Sequence, residues 1–359
     1  MKEKHVFAGN NTAEGFFSYF EYLLKPEEAE HIYILKGGPG VGKNHFMKKF
    51  AEKMTDKNYS IEYIHCSSDN VSLDGILIPE LKTLFVDGTA PHTIDPVIPG
   101  AVDEIINLGS FLDVQKLNKH KTAIIQTNKA KSNKYISAYR YLKAAGIVHD
   151  EISSIYDLYV NVDKFNEMCE KAVTKLFAHS YCKSSGNIRK LFTESFTANG
   201  YISHTERFFE DNEVWAVVDN DTNFSSVFLE RILNEALKNG YTAECYYRPL
   251  NPKKLQHIYL PEKNLIIVTA EIHMNEKYNQ VFDIHSIMDS ESIKTRISEI
   301  EKNLHLYDLL IKNALDKLSE TKKLHDLLEV FYTDCMDFDG VNECFEKISQ
   351  RYGDTQNIG

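Results

Sequence analysis

Residues 32–44 read Ile-Tyr-Ile-Leu-Lys-Gly-Gly-Pro-Gly-Val-Gly-Lys-Asn, and this stretch decides the fold that we expect of the chain. Its four leading apolar residues predict a buried strand, and the glycine-rich turn ends where a helical pattern begins at Lys43. Further strands are predicted at 60–65 and 83–86, so strand, loop and helix alternate along the chain. This alternation predicts an α/β fold in which a parallel sheet carries helices on both faces.

The glycine-rich turn also predicts a phosphate site, because residues 37–43 fit the pattern G-x-x-x-x-G-K. Glycines let backbone N–H groups turn toward phosphate oxygens, a helix N-terminus adds positive potential, and the lysine reaches the β- and γ-phosphates. The strand at 83–86 runs into Asp87, a carboxylate suited to Mg²⁺. We therefore expect catalytic roles for Lys43 and Asp87, and nucleotide binding by Gly37, Gly38, Pro39, Gly40, Val41, Gly42, Lys43, Asn44 and His45.

Four stretches of the chain resemble the P-loop NTPases, and more narrowly a bacterial family of tandem-duplicated, ATPase-like or nucleotide-kinase-like proteins. They are HVFAGNNTAEGFFSYF (5–20), ILKGGPGVGK (34–43), IHCSSDNVSLDGILIPELK (64–82) and VDGTAPHTIDPVIPGAVDEIINLG (86–109). The resemblance implies a three-layer P-loop fold that binds ATP. We expect Asn44 and Asp87 to bind Mg²⁺. Asn44 and His45 stand where such proteins usually carry Ser-Thr, so we expect Asn44 to bind the ion weakly.

An internal repeat divides the chain into two copies. Residues 5–21 recur at 190–206 and residues 149–171 at 325–347, which predicts domains at 1–182 and 187–359, each with a mainly helical C-terminal part. In the second copy Asp219 replaces Gly37, Ser225 replaces Lys43 and Thr269 replaces Asp87. Added carboxylates repel phosphate, so we expect nucleotide in the first copy alone and a structural role for the second.

Other polar residues are predicted near the same sheet edge. Asp69 and Asp74 follow the second strand, where one of them could position an acceptor hydroxyl or simply cap a loop. His92 could orient water or sense the γ-phosphate, although a turn histidine bonded to backbone fits equally well. Cys66 is expected to pack, as most strand-end thiols do. His149 and His325 occur in both copies, which favours a packing role over catalysis.

Composition narrows the function classes. The chain has 359 residues, 43% of them hydrophobic, and a net charge of −11, which argues against a general nucleic-acid binder. Its six cysteines form no C-x-x-C pair, and its apolar runs are too short for a bilayer, so we expect no membrane contact and a cytoplasmic location. Residues 114–149 nevertheless carry eight Lys or Arg and no Asp or Glu. That basic helix is either a contact for an anionic ligand or a solvated face.

Two function classes remain. The first is phosphoryl transfer of the nucleotide-kinase type, with an acidic residue after the second strand positioning the acceptor. The second is a regulatory, switch-like ATPase with low turnover, whose nucleotide-bound state is recognised by a protein or nucleic-acid partner. The sequence leaves the acceptor, the base preference and the oligomeric state open.

Overall fold

The computed structural model describes residues 2–178, 185–219, 221–270 and 278–353, and it contains two similar halves. The first half comprises β1 (Glu3–Val6), β2 (Gly9–Thr12), β3 (Gly15–Ser18), β4 (His31–Lys36), α1 (Lys43–Thr55), β5 (Ile61–His65), β6 (Leu73–Ile78), β7 (Thr83–Asp87), β8 (Asp103–Asn107), α2 (Val114–Asn118), α3 (Lys121–Asp157) and α4 (Val162–Phe177). The second comprises β9 (Ile188–Leu191), β10 (Glu194–Thr197), β11 (Gly200–Ser203), β12 (Glu213–Val218), α5 (Phe224–Lys238), β13 (Ala243–Tyr247), β14 (Leu255–Leu260), β15 (Leu265–Ala270), β16 (Gln280–Asp283), α6 (Ser290–Ile293), α7 (Ile297–Thr333) and α8 (Phe338–Gln350).

Each half builds a six-stranded sheet with the same topology. The orders are β1-β5-β6-β7-β4-β8 and β9-β13-β14-β15-β12-β16. The expected parallel sheet is wrong in one respect, because β6 runs antiparallel to β5 and β7, as β14 does to its own neighbours. Residues 66–72 and 79–82 join β6 to its neighbours, and such short connections cannot make the crossover that a parallel strand needs. Both sheets are therefore mixed.

The two sheets pack face to face, so the expected helices on both faces are also wrong. One core cluster joins Ile34 and Val86 of the first sheet to Ala216 and Val268 of the second. On the outer face of the first sheet, α1 and α8 cover Tyr33 and other strand residues. Helices α4 and α5 cover the outer face of the second sheet. The molecule has four layers, helix, sheet, sheet and helix.

The C-terminal helices of the two copies are exchanged. Phe345 of α8 packs among the residues of α1, and Phe165 of α4 contacts Phe224 of α5. The long helices α3 and α7 pair antiparallel, since His120 lies beside Phe331 and His149 lies beside Tyr307. The repeat boundary thus separates two sequence copies whose helices complete each other's sheets. No described helix is both long and apolar enough to cross a lipid bilayer.

Strands β2 and β3 form a hairpin over residues 9–18, and a single 3-10 turn follows at Phe20–Tyr22. Gly15 has a φ of +99° in the turn, and Thr12 Oγ1 donates to its carbonyl oxygen. Asn10 and Asn11 of β2 donate to carbonyl oxygens of Glu194 and Phe196 in the matching hairpin of the other copy. Contacts between copies therefore decide this segment, whose apolar spacing of Phe17, Phe20, Leu23 and Leu24 is compatible with a helix.

Four charged residues meet between the sheets. Arg189 Nη1 lies 2.8 Å from Glu62 and 3.4 Å from Glu244, while Lys4 contacts Glu244 and lies 3.7 Å from Glu62. Burial alone would raise the pKa of Glu244, but Lys4 and Arg189 outweigh it and hold that pKa well below its usual range. Lys4 and Arg189 are equivalent in the repeat, as are both glutamates, so each copy supplies one pair.

Candidate functional site

The glycine-rich loop lies at the edge of the first sheet where the parallel strands end. β4 ends at Lys36, and its neighbour β7 ends at Asp87, which is paired in register with Leu35. β5 ends at the same edge, and the antiparallel β6 begins there, which brings Asp74 to it. Loop, carboxylate and polar residues are therefore gathered at one place, as the strand order predicts.

The loop needs its glycines for two reasons. Gly37, Gly40 and Gly42 have φ values of +146°, +73° and +96°, a region that favours glycine. A Cβ on Gly38 would lie 2.5 Å from the ring of Tyr332 in α7. Backbone conformation and the close approach of the other copy's long helix both select glycine here.

Lys43 and Asp87 face each other across the loop. The Nζ atom of Lys43 donates to the carbonyl oxygens of Gly37 and Gly38 at 2.8 Å each, and it lies 3.6 Å from Asp87 Oδ2. Asp87 Oδ1 accepts from the Thr89 N–H at 2.8 Å, and Thr89 Oγ1 donates to Gly37. Burial raises the pKa of Asp87 in spite of the nearby Lys43. Sequence reasoning missed Thr89, although Asp-Gly-Thr after a strand is a turn signal.

The first turn of α1 presents free N–H groups. Gly42 at its N-cap provides no side-chain acceptor. Within the described part of the chain, no protein atom accepts a hydrogen bond from the backbone N–H groups of residues 43–45. Unpaired N–H groups beside a lysine favour an anion.

The corresponding loop of the second copy is closed by its own carboxylates. Asp219 accepts from the N–H groups of Thr222 at 3.0 Å and Ser225 at 3.3 Å. Asp157, the last residue of α3, accepts from the N–H of Asn223 at 2.9 Å. These carboxylates bind the N–H groups that an anionic ligand would otherwise contact.

The repeat shows why the two loops differ. Asp219 corresponds to Gly37, and Asp157 corresponds to Thr333, which lies against the first loop with its hydroxyl 3.4 Å from the Gly40 carbonyl oxygen. A neutral residue therefore stands at both positions of the first copy where the second has a carboxylate. The two loops therefore differ in charge at both of these positions.

Of three other predicted residues, Asn44 and Asp69 are bonded to other parts of the chain and His45 is exposed. Asn44 Oδ1 accepts from the Leu73 N–H of β6 at 3.1 Å. His45 is exposed on α1. Asp69 accepts from the Ser72 hydroxyl at 3.1 Å and lies 3.4 Å from Lys322 Nζ of α7. Asp69 thus caps its own loop and anchors it to the helix pair.

Cys66, Asp74 and His92 form a compact group beside this site. Asp74 Oδ1 lies 3.3 Å from His92 Nε2, and Phe16 and Phe20 pack on the imidazole ring. Burial opposes the charged imidazole, but Asp74 outweighs it and raises the pKa of His92. His92 therefore contacts side chains rather than the backbone partner that a turn histidine often has.

The basic segment 114–149 forms α2 and most of α3. Lys134 pairs with Glu320 of α7, and Lys116 donates to the Asp334 carbonyl oxygen. Burial lowers the pKa of Lys131. Six of the eight cations are exposed, so this segment presents both a packed and a solvated face; they are Lys116, Lys119, Lys121, Lys129, Arg140 and Lys143.

A cavity of about 1190 Å³ lies between the edge of the second sheet and the α3–α7 helix pair, and both copies line it. Glu194 and His257 line it, and they replace Gly9 and Gly75 of the first copy. Burial would raise the pKa of Glu194, but His257, 3.6 Å away, and hydrogen bonds from hydroxyl groups outweigh it and lower that pKa to about 2. The edge of the second sheet is therefore lined by polar side chains that hydrogen-bond to one another.

Protein-family models, curated proteins and solved structures give no match to this chain. The resemblance to P-loop NTPases therefore rests on the sequence stretches 5–20, 34–43, 64–82 and 86–109 alone.

Proposed function

We propose that the first copy binds the phosphate groups of ATP or another nucleoside triphosphate, as a P-loop NTPase does. The observation that carries the proposal is the contrast between the two loops. The N–H groups at the start of α1 have no acceptor among the described residues, whereas Asp219 and Asp157 fill the equivalent place. Lys43 adds a positive charge at the open loop, whereas Ser225 stands at that position of the second copy and accepts a hydrogen bond from Arg248 at 2.8 Å.

Asp87 is the residue that would hold Mg²⁺ in this proposal. Mg²⁺ in nucleotide sites takes one or two carboxylates and completes its octahedron with phosphate oxygens and water. Asp87 fits that requirement, because its Oδ2 faces the loop beside Lys43. Asn44 fits less well, since its carbonyl oxygen already accepts the Leu73 N–H. The metal would neutralise charge on the phosphates, while Lys43 and the N–H groups orient them.

Phosphoryl transfer of the nucleotide-kinase type to an unidentified acceptor is the first candidate reaction. Residues 66–74 follow β5 at the same edge and supply hydrogen-bonding groups for an acceptor. Asp69 is committed to Ser72 and Lys322, so its part is to shape that loop.

A switch-like ATPase is the second candidate, and one contact favours it. Tyr332 and Thr333, at the end of α7, lie against Gly38 and Gly40 of the loop. Phosphate bound at the loop would be sensed by the antiparallel α3–α7 pair, whose exposed basic face offers a surface for an anionic partner.

Calorimetric titration of ATP, with and without Mg²⁺, tests the binding proposal. We expect one site per chain, and we expect Lys43→Ala to weaken binding at least about tenfold, because it removes a charge-assisted contact. Ser225→Ala is the matched control in the second copy and should leave ATP affinity unchanged. Two sites per chain, or unchanged affinity in Lys43→Ala, would refute the proposal.

A second measurement separates the two reactions. Transfer of labelled γ-phosphate to nucleoside monophosphates and other hydroxyl acceptors would support the kinase. Slow phosphate release without transfer, together with altered hydrogen exchange in residues 325–333 on ATP binding, would support the switch.

A further inference from the structure

Three side chains with metal-binding atoms meet beside the phosphate loop. Cys66 follows β5, Asp74 is the second residue of β6, and His92 lies in the turn after β7. The Cys66 sulfur, an Asp74 carboxylate oxygen and an imidazole nitrogen of His92 all lie within 4.8 Å of one another. The order of strands β5, β6 and β7 thus brings these three side chains to one point.

The bonding within this trio is incomplete. Asp74 is 3% exposed and His92 is 8% exposed, so neither relies on solvent. Asp74 Oδ2 and His92 Nδ1 are buried and have no hydrogen-bond partner. A buried carboxylate oxygen without a donor is unfavourable, and a cation held between the carboxylate and its neighbours removes that penalty.

We propose that Cys66, Asp74 and His92 bind a divalent transition-metal cation of the Zn²⁺ class. Sulfur, imidazole nitrogen and carboxylate oxygen are the ligands that Zn²⁺ uses in proteins, whereas Mg²⁺ and Ca²⁺ take oxygen ligands. The separation of 3.3 Å between Asp74 Oδ1 and His92 Nε2 suits two ligands of one small cation. Cys66 binds as the thiolate and His92 as the neutral imidazole, and the protons that they release pass to solvent.

Three protein ligands leave one position of a tetrahedral ion open to water, as in catalytic zinc sites. The site differs from the Mg²⁺ position at Asp87 in its residues and in its ligand chemistry, and it does not depend on nucleotide binding. The second copy cannot repeat it, because Arg248 and Gln256 occupy the positions of Cys66 and Asp74. A guanidinium is no metal ligand, so we expect one ion per chain.

Titration of the reduced, metal-free full chain tests the proposal, with Zn²⁺ delivered in competition with a chromophoric chelator and with no nucleotide present. We expect one equivalent of Zn²⁺ and a rise in melting temperature on its addition. Co²⁺ in place of Zn²⁺ should give the charge-transfer absorption of a cobalt–thiolate bond, which identifies the cysteine ligand.

Single variants Cys66→Ser, Asp74→Asn and His92→Gln should each weaken Zn²⁺ binding at least about tenfold. Cys344→Ser, at a half-buried thiol elsewhere, and His45→Gln, at an exposed histidine, are controls and should bind as the wild type does. The proposal is overturned if the wild-type chain binds less than one equivalent, or if Co²⁺ gives no thiolate band. Both readouts use the wild-type protein, so they decide the question even where a variant fails to fold.

Discussion

Arg189 is the residue whose loss should destabilise the fold most clearly. Its guanidinium contacts Glu62 at 2.8 Å and Glu244 at 3.4 Å between the two sheets. It also donates to the carbonyl oxygens of Tyr22 at 3.0 Å and Leu23 at 3.1 Å. Arg189→Met keeps much of the side-chain length but removes every one of these donors.

The expected cost follows from what remains after the substitution. Lys4 alone would then face two buried carboxylates, so one negative charge would be uncompensated. Removing one partner of a buried ion pair typically costs about 3–5 kcal/mol, and we expect Arg189→Met to lower the free energy of unfolding by that amount. Adding Glu62→Gln removes the excess charge, so the double variant should recover part of the loss.

Urea unfolding followed by circular dichroism measures this effect. Lys253→Met is the matched control, because its partner Glu14 and Lys253 itself are exposed, and it should cost less than about 1 kcal/mol. The reasoning is refuted if Arg189→Met costs no more than Lys253→Met, or if adding Glu62→Gln deepens the loss by its full single-variant amount.

Three further predictions concern other parts of the molecule. Gly38→Ala should lower the free energy of unfolding, measured in urea, by about 1–3 kcal/mol, because the added Cβ meets the Tyr332 ring. The loss should be smaller in a Tyr332→Ala background, and equal losses in both backgrounds would contradict this. Burial is the main cause that lowers the pKa of His5 to about 3 and the pKa of His204 to about 4. Both imidazoles therefore stay neutral in the folded chain, while those of the unfolded chain bind protons below about pH 6.5. As the pH is lowered from about 6.5 to 5, the free energy of unfolding should fall by at most about 1.4 kcal/mol per pH unit for each histidine. If His204→Gln shows the same dependence of unfolding free energy on pH as the wild type, this reasoning is wrong. Asp219→Ala should lower the free energy of unfolding by about 0.5–2 kcal/mol, because the N–H groups of Thr222 and Ser225 lose their acceptor. Added phosphate can then bind these N–H groups, so it should raise the melting temperature of the variant more than that of the wild type. Equal rises would refute this prediction.

The sequence by itself determined the local units of this protein. The repeat predicts two similar halves, and the described residues contain them. The strand at β4, the glycine loop and the helix from Lys43 were all predictable, because short apolar runs, glycine and helical periodicity are local signals. The same reasoning placed Lys43 and Asp87 at one sheet edge, where they lie 3.6 Å apart.

Only the tertiary structure decided what covers each surface. A strand that is buried on both faces has the same apolar sequence whether a helix or a second sheet packs on it, so the stacking of the two sheets was not predictable. The exchange of α4 and α8 and the hairpin of β2 and β3 likewise depend on contacts between the copies. Asp157 shows the reason most directly. Its carboxylate closes a loop 66 residues away in the chain, and only the folded arrangement of α3 brings it there.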